Sequence, residues 1–156
     1  MAYTVVRTDK MAGQTLAPFL SSARFQVGGE NTEIMNGSIV ELKGLMEGER
    51  EIYLAETPNE ASLMADLALV ATPEVVADPR LKRLSDFINE AGSAIRCYRL
   101  HSGDIFSVSP DGIEGSASVG AAVSIGAGLK PVVGGSGTAI GSIIEIDNDF
   151  VVIQID

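Results

Sequence analysis

The hydrophobic and polar positions of this chain alternate in short runs of four to eight residues, separated by glycine, proline, asparagine and aspartate. That spacing is a strand signal, because successive side chains of an extended chain point to opposite faces. Ser38 to Leu45 and Arg50 to Ala55 read as two strands joined across Met46-Glu47-Gly48-Glu49. Leu67 to Ala71 is a third, stopped by Thr72-Pro73-Glu74. Ala94 to Leu100 and Ile105 to Ser109 follow, and Pro110-Asp111-Gly112 makes a turn. The last forty residues alternate β-branched runs with glycine turns. They end in the clearest hairpin, Ile143 to Ile146 against Phe150 to Ile155 across Asp147-Asn148-Asp149.

One stretch reads differently. Asp78 is a favoured N-cap and Pro79 suits the first helical position. Leu81, Leu84, Phe87, Ile88 and Ala91 then fall on one stripe, and Gly92 suits the residue after a helix. This pattern predicts an amphipathic helix over 79–91, with Asn89 and Glu90 on its wet face. Residues 1–37 sustain neither period. Met11, Leu16, Phe19 and Leu20 are spaced apolar residues without a period of their own, which fits either a surface segment packed loosely on the domain or an extended arm that docks on a neighbouring subunit. The expected fold is mainly β (α+β), a β-sandwich or small barrel-like module with one helix. Its expected divisions are an N-terminal arm (1–37), a β-rich domain (38–118) and a glycine-rich C-terminal module (119–156).

Composition narrows the chemistry. Of 156 residues, 46% are hydrophobic and none is Trp, so the core is aliphatic. Twenty-one acids against 11 bases give a net charge of −10, which disfavours nucleic acid and anionic membranes as partners. No apolar run approaches the roughly 20 residues of a membrane span, and no leader pattern opens the chain, so a soluble protein made in a reducing compartment is expected. Arg80, Lys82 and Arg83 form a basic cluster suited to an acidic partner surface, such as the C-terminal module of a second copy. The single cysteine, Cys97, excludes an intrachain disulfide. Its nearest histidine, His101, would share its strand face but sit about 13 Å away, so a buried structural thiol is expected.

The remaining constellations have plain readings. Gly134-Gly135-Ser136-Gly137-Thr138 lacks the lysine and the following helix of a phosphate loop, and reads as a turn. Asp147-Asn148-Asp149 lacks the further ligands of a calcium loop. Glu47, Glu49, Glu51 and Glu56 have no aromatic platform for a sugar beside them. Asp78, Asp86, His101 and Asp104 contain one histidine, too few for a usual zinc site. These residues predict no enzyme, no cofactor, no metal and no small-molecule substrate.

Gly103-Asp104-Ile105-Phe106-Ser107-Val108, Val119-Gly120-Ala121-Ala122-Val123, Gly137-Thr138-Ala139-Ile140-Gly141 and the final Phe150 to Ile155 strand together resemble the closing modules of tailed-phage head decoration and virion structural proteins. Leu84 to Gly92, running on to Tyr98-Arg99-Leu100, is similar to proteins encoded beside capsid genes. The resemblance spans residues 65 to 156 and carries over no single functional residue. It implies a protein of the outer capsid surface, made in the host cytoplasm. Its partners would be the major capsid protein and copies of itself, in a trimer for instance, and it would stabilise the shell by bridging subunits. A tail-tube or baseplate protein is the alternative, and a carbohydrate-binding module or small hydrolase a more distant one. The expected partner-facing residues are Tyr3, Val5, Arg7, Leu16, Phe19 and Leu20 of the arm, with Arg80, Lys82 and Arg83.

Overall fold

A computed structural model describes residues 4–75, 78, 80 and 86–156. The protein is mainly β. The described residues form twelve strands: β1 (Val6–Lys10), β2 (Leu20–Val27), β3 (Glu30–Asn31), β4 (Ile39–Leu45), β5 (Ile52–Glu56), β6 (Leu67–Val70), β7 (Ile95–Arg99), β8 (Ile105–Val108), β9 (Ala122–Ile125), β10 (Pro131–Val133), β11 (Ala139–Ile146) and β12 (Val151–Ile155). They form two six-stranded sheets, ordered β1-β8-β12-β11-β9-β10 and β3-β2-β5-β4-β6-β7.

The second sheet closes on itself. β7 pairs with both β6 and β2, so β2-β5-β4-β6-β7 is a five-stranded barrel, with β3 appended to β2. All its pairings are antiparallel except β2 with β5, where Ser22 to Phe25 run alongside Ile52 to Ala55. So small a barrel leaves little room inside. Ala23, Ala55, Ala68 and Cys97 keep the lumen narrow, and Phe25, Val40, Leu42, Val70 and Ile95 fill it. Arg99 shares the inward side of β7 with Ile95 and Cys97, and its guanidinium lies 5.1 Å from the Tyr53 ring centre.

The outward side of the barrel supplies half of a second core. Ile39, Leu67, Leu69, Tyr98 and Leu100 pack against Phe106, Val108, Val123, Ile125, Ile140, Ile143, Val151, Ile153 and Ile155 of the other sheet. β6 is therefore buried on both faces, and its Leu-Ala-Leu-Val run shows no polar alternation.

The strands read from alternation are present, including the β4–β5 pair and the closing β11–β12 hairpin. A bulge at Ile144 interrupts that hairpin, so Ile144 and Ile146 are left part-exposed.

Three expectations are corrected. Residues 79 and 81–85 of the expected helix lie outside the described residues, but 87–91 are not helical. Asn89, expected to face water, is 4% exposed and bridges to Ile34, with both backbone hydrogen bonds made (3.0 and 2.9 Å). Its side chain donates to Ile34 O and to Asn36 Oδ1, each at 3.0 Å. Asn36 in turn donates to Thr72 O and accepts from Thr72 N–H. This buried amide network outweighs the helical spacing of Phe87, Ile88 and Ala91, and Ala91 is exposed. Nor is 1–37 an arm. β2 is a wall of the barrel, and Met11 is 3% exposed in the inter-sheet core. The division at 118 also dissolves, because β8 and β1 belong to the sheet of the C-terminal strands.

Truncating Met11 to Ala should cost about 2–5 kcal/mol, as core deletions do, and Leu16→Ala, at a half-exposed position, within about 0.5 kcal/mol. Urea unfolding of the two variants checks this; equal losses would contradict the buried placement of Met11.

Candidate functional site

The residues singled out in the N-terminal segment lie along one seam. From Val5 to Phe19 the chain runs antiparallel beside residues 101–109. Val5 N–H donates to Ser109 Oγ (3.0 Å) and Val5 O accepts from Ser109 N–H (2.8 Å). Val6 and Arg7 pair with Val108 and Ser107, and Lys10 with Ile105 after a one-residue bulge. Asp9 accepts a hydrogen bond from the Ser107 hydroxyl. Ala12 N–H donates to Asp104 Oδ1 (2.7 Å), and the Phe19 ring stacks on His101 with centres 3.6 Å apart.

Asp104 is the knot of this seam. It is 3% exposed, and its second carboxylate oxygen accepts from His101 N–H (2.9 Å). Its own carbonyl accepts from Ile155 N–H (2.9 Å) in the last strand. The His/Asp pair suggested by sequence is thus a turn lock: His101 Nδ1 lies 2.9 Å from Arg99 O, an acceptor, so that nitrogen carries the proton.

The outer flank of the seam is open. Leu16 is 52% and Leu20 36% exposed, and the Arg7 guanidinium projects over the Phe150 ring with Asp9 at 3.7 Å. Val5, Arg7, Leu16, Phe19 and Leu20 thus lie along one stretch of chain that runs from the entry of β1 through two short 3-10 turns to the first residue of β2, and Val5 and Phe19 are partly buried in holding it down. Tyr3, Lys82 and Arg83 lie outside the described residues. Arg80 is bound to Asp78 through two side-chain contacts of 3.1 Å, and the Asp78 carboxylate also accepts Arg80 N–H. That ion pair lowers the acid's pKa and raises the base's.

A second polar cluster, which sequence did not single out, clamps the barrel to the other sheet. Glu41 of β4 is 8% exposed, accepts from Lys43 Nζ at 2.6 Å, and accepts the Ser62 hydroxyl at 2.8 Å. Ser62 Oγ also accepts Asn59 N–H. Across the gap, Thr138 donates through its hydroxyl to Ser62 O (2.8 Å) and through N–H to Glu60 O (2.9 Å). The glycine loop belongs to this clamp. A Cβ at Gly137 would strike the Ile125 carbonyl and come within 3.1 Å of Glu60 Cα, so only glycine lets the two loops meet. The Lys43 hydrogen bond holds the Glu41 carboxyl below the ordinary value of 4.5, against the opposing effect of burial.

The other candidates resolve into structure. Asp147 caps its own turn by accepting N–H from Asp149 (2.8 Å) and Phe150 (2.7 Å). Glu49 pairs with Arg24 at 3.2 Å. Burial pushes the Cys97 thiol up to about 12, so it is an inert lumen residue. Among the described residues no three His, Cys, Asp or Glu side chains are placed to share a metal ion, and no helix is long and apolar enough to cross a membrane. Two shallow clefts open beside the seam, of about 260 and 270 Å³. The first is mainly apolar, between Ile34, Met35, Ile88 and Leu129, with Glu33, Glu114 and Lys130 among its walls. The second is more polar, between Thr8, Asn36, Thr72, Glu74 and Arg96.

Because the folded Glu41 pKa lies below the unfolded one, its stabilisation is complete above pH 4.5 and is lost as pH falls through the folded value. Glu41→Gln should flatten the acid limb of a melting-temperature profile; an unchanged slope would contradict the clamp. Cys97 should stay unmodified by thiol reagents at pH 8 in the native protein and react fully in denaturant, which mass spectrometry reads directly.

Comparison with protein-family models, with curated proteins and with solved structures returns no match for this chain.

Proposed function

We propose that this is a non-enzymatic virion structural protein that decorates a phage head, binding the outer capsid surface and bridging major capsid subunits. The observation that carries the reading is the seam. A two-sheet body presents Arg7, Leu16 and Leu20 along one stretch of chain, which Ser109, Ser107 and Asp104 hold down through Val5, Asp9 and Ala12. Such a surface spends little entropy on binding, and weak contacts repeated around a shell accumulate. The resemblance of Gly103 to Val108, Val119 to Val123, Gly137 to Gly141 and Phe150 to Ile155 to decoration proteins supports the same reading. Of the polar groups that suggested chemistry, His101, Asp104 and Asp147 are engaged in turns, and Glu49 and Asp78 in ion pairs.

A tail tube or baseplate ring is the alternative, and the sheet edges favour the head. Glu114 lies along β10, exchanging hydrogen bonds with Pro131 O and Val133 N–H. The Gln14 side chain covers Thr8 O on the free side of β1, and β3 has two residues. Such blocked edges oppose self-polymerisation through strand addition.

The purified protein should co-sediment with expanded heads at a fixed copy number per capsid. Leu16→Asp with Leu20→Asp should weaken that binding at least about tenfold, the loss of roughly 1.4 kcal/mol, without changing the melting temperature. Spontaneous assembly into tubes, or turnover of ester or glycoside substrates abolished by one acidic substitution, would overturn the proposal.

A further inference from the structure

β1 is the end strand of its sheet. The barrel closes without it, and the other sheet keeps five strands when it is removed. Its contacts are nevertheless specific. Thr4, 5% exposed, seats its methyl in a notch floored by two glycines: a Cβ on Gly37 would lie 2.7 Å from it, and one on Gly112 would overlap it. Val5 is pinned at both backbone groups by Ser109, and Val6 packs on the core beside Val108. Beyond Lys10 the chain is anchored afresh, by buried Met11 and by the Ala12–Asp104 hydrogen bond. Between the two anchorages the ladder slips by one residue, and Lys10 is exposed. The strand thus ends at a discontinuity, which is where it can swing away while the body stays intact.

The partners of residues 4–10 outside the segment's own turn lie on the body: Gly37, Ile105, Ser107, Val108, Ser109, Gly112 and Phe150. An identical segment from another molecule would make the same contacts. Exchange between copies therefore costs no native interaction except at the hinge, and is decided by concentration.

We propose that residues 4–10 form an exchangeable strand, and that the β8 edge with its glycine notch is a docking site for the same segment of a second copy of this chain. The exchanged strand links neighbouring copies without new surface chemistry. It does not rest on the capsid reading, since it concerns copies of the chain alone in solution.

Val108 is fully buried under Val6, so a cysteine there is reached by another molecule's residue 6 only if that strand has entered the groove. Full-length Val6→Cys and Val108→Cys proteins are mixed under mild oxidation, and disulfide-linked peptides are mapped; buried Cys97 stays silent. The double variant Val6→Cys/Val108→Cys, which should close on itself in dilute solution, controls for geometry and folding. The surface pair Arg7→Cys and Ser107→Cys, also opposite each other, repeats the test should Val108→Cys impair folding. The expected result is a heterodimer linked between positions 6 and 108, rising at least about threefold in yield for a tenfold rise in protein concentration. Closure of the double variant with no such heterodimer at any concentration would overturn strand exchange and leave the capsid reading untouched. Failure of the double variants to close would overturn the docking of β1 on β8 itself.

Discussion

Everything in this fold leans on a four-residue strand buried on both sides. Leu67, Ala68, Leu69 and Val70 are each fully excluded from water. Ala68 and Val70 face the barrel lumen, while Leu67 and Leu69 face the second sheet. The strand is a shared wall between two cores, so neither the barrel nor the open sheet is complete without the other. The polar clamps act at the rim of this wall. Glu41, Ser62 and Thr138 close one side, and Asn36, Thr72 and Asn89 fasten the segment that leads into it. Burial supplies the bulk attraction between the layers, and the hydrogen-bonded rims select one orientation among the many that aliphatic surfaces would tolerate.

The strands after Ser38 were legible because short apolar runs, several of them alternating with polar residues, are bounded by glycine, proline and other turn residues. The barrel wall at β2 was not. Its inward residues are Ser21, Ala23 and Phe25, and its outward ones Leu20, Ser22 and Arg24, so small side chains in a narrow lumen erase the contrast. Its parallel partner β5 lies outside any hairpin logic, and the closing pair with β7 joins segments more than seventy residues apart. Phe87, Ile88 and Ala91 misled for a related reason. Apolar spacing reports which residues could share a helical face, but not whether a neighbour such as Ile34 offers the backbone a better partner.

The seam illustrates how a functional surface hides in sequence. Arg7, Leu16, Phe19 and Leu20 are legible as unplaced residues, and they lie along one stretch of chain from β1 to the start of β2. What fixes them was not legible: Asp104, Ser107 and Ser109 look like turn and strand polars until the chain's beginning is laid against them. Thr4 and its glycine notch carry no signal at all, because their meaning is a close approach between three residues far apart in the chain, Thr4, Gly37 and Gly112.

The placement of β12 between β8 and β11 has a consequence for how the molecule comes into being. During synthesis the five barrel strands, from Leu20 to Arg99, leave the ribosome well before the final hairpin. The barrel can therefore close while the open sheet still lacks its central strand. β8 has no stable partner until residues 151–155 emerge, and β1 has no sheet to join until β8 is set. β1 therefore joins a complete sheet only after β12 has reached β8, so the strand earliest in the order is fastened late.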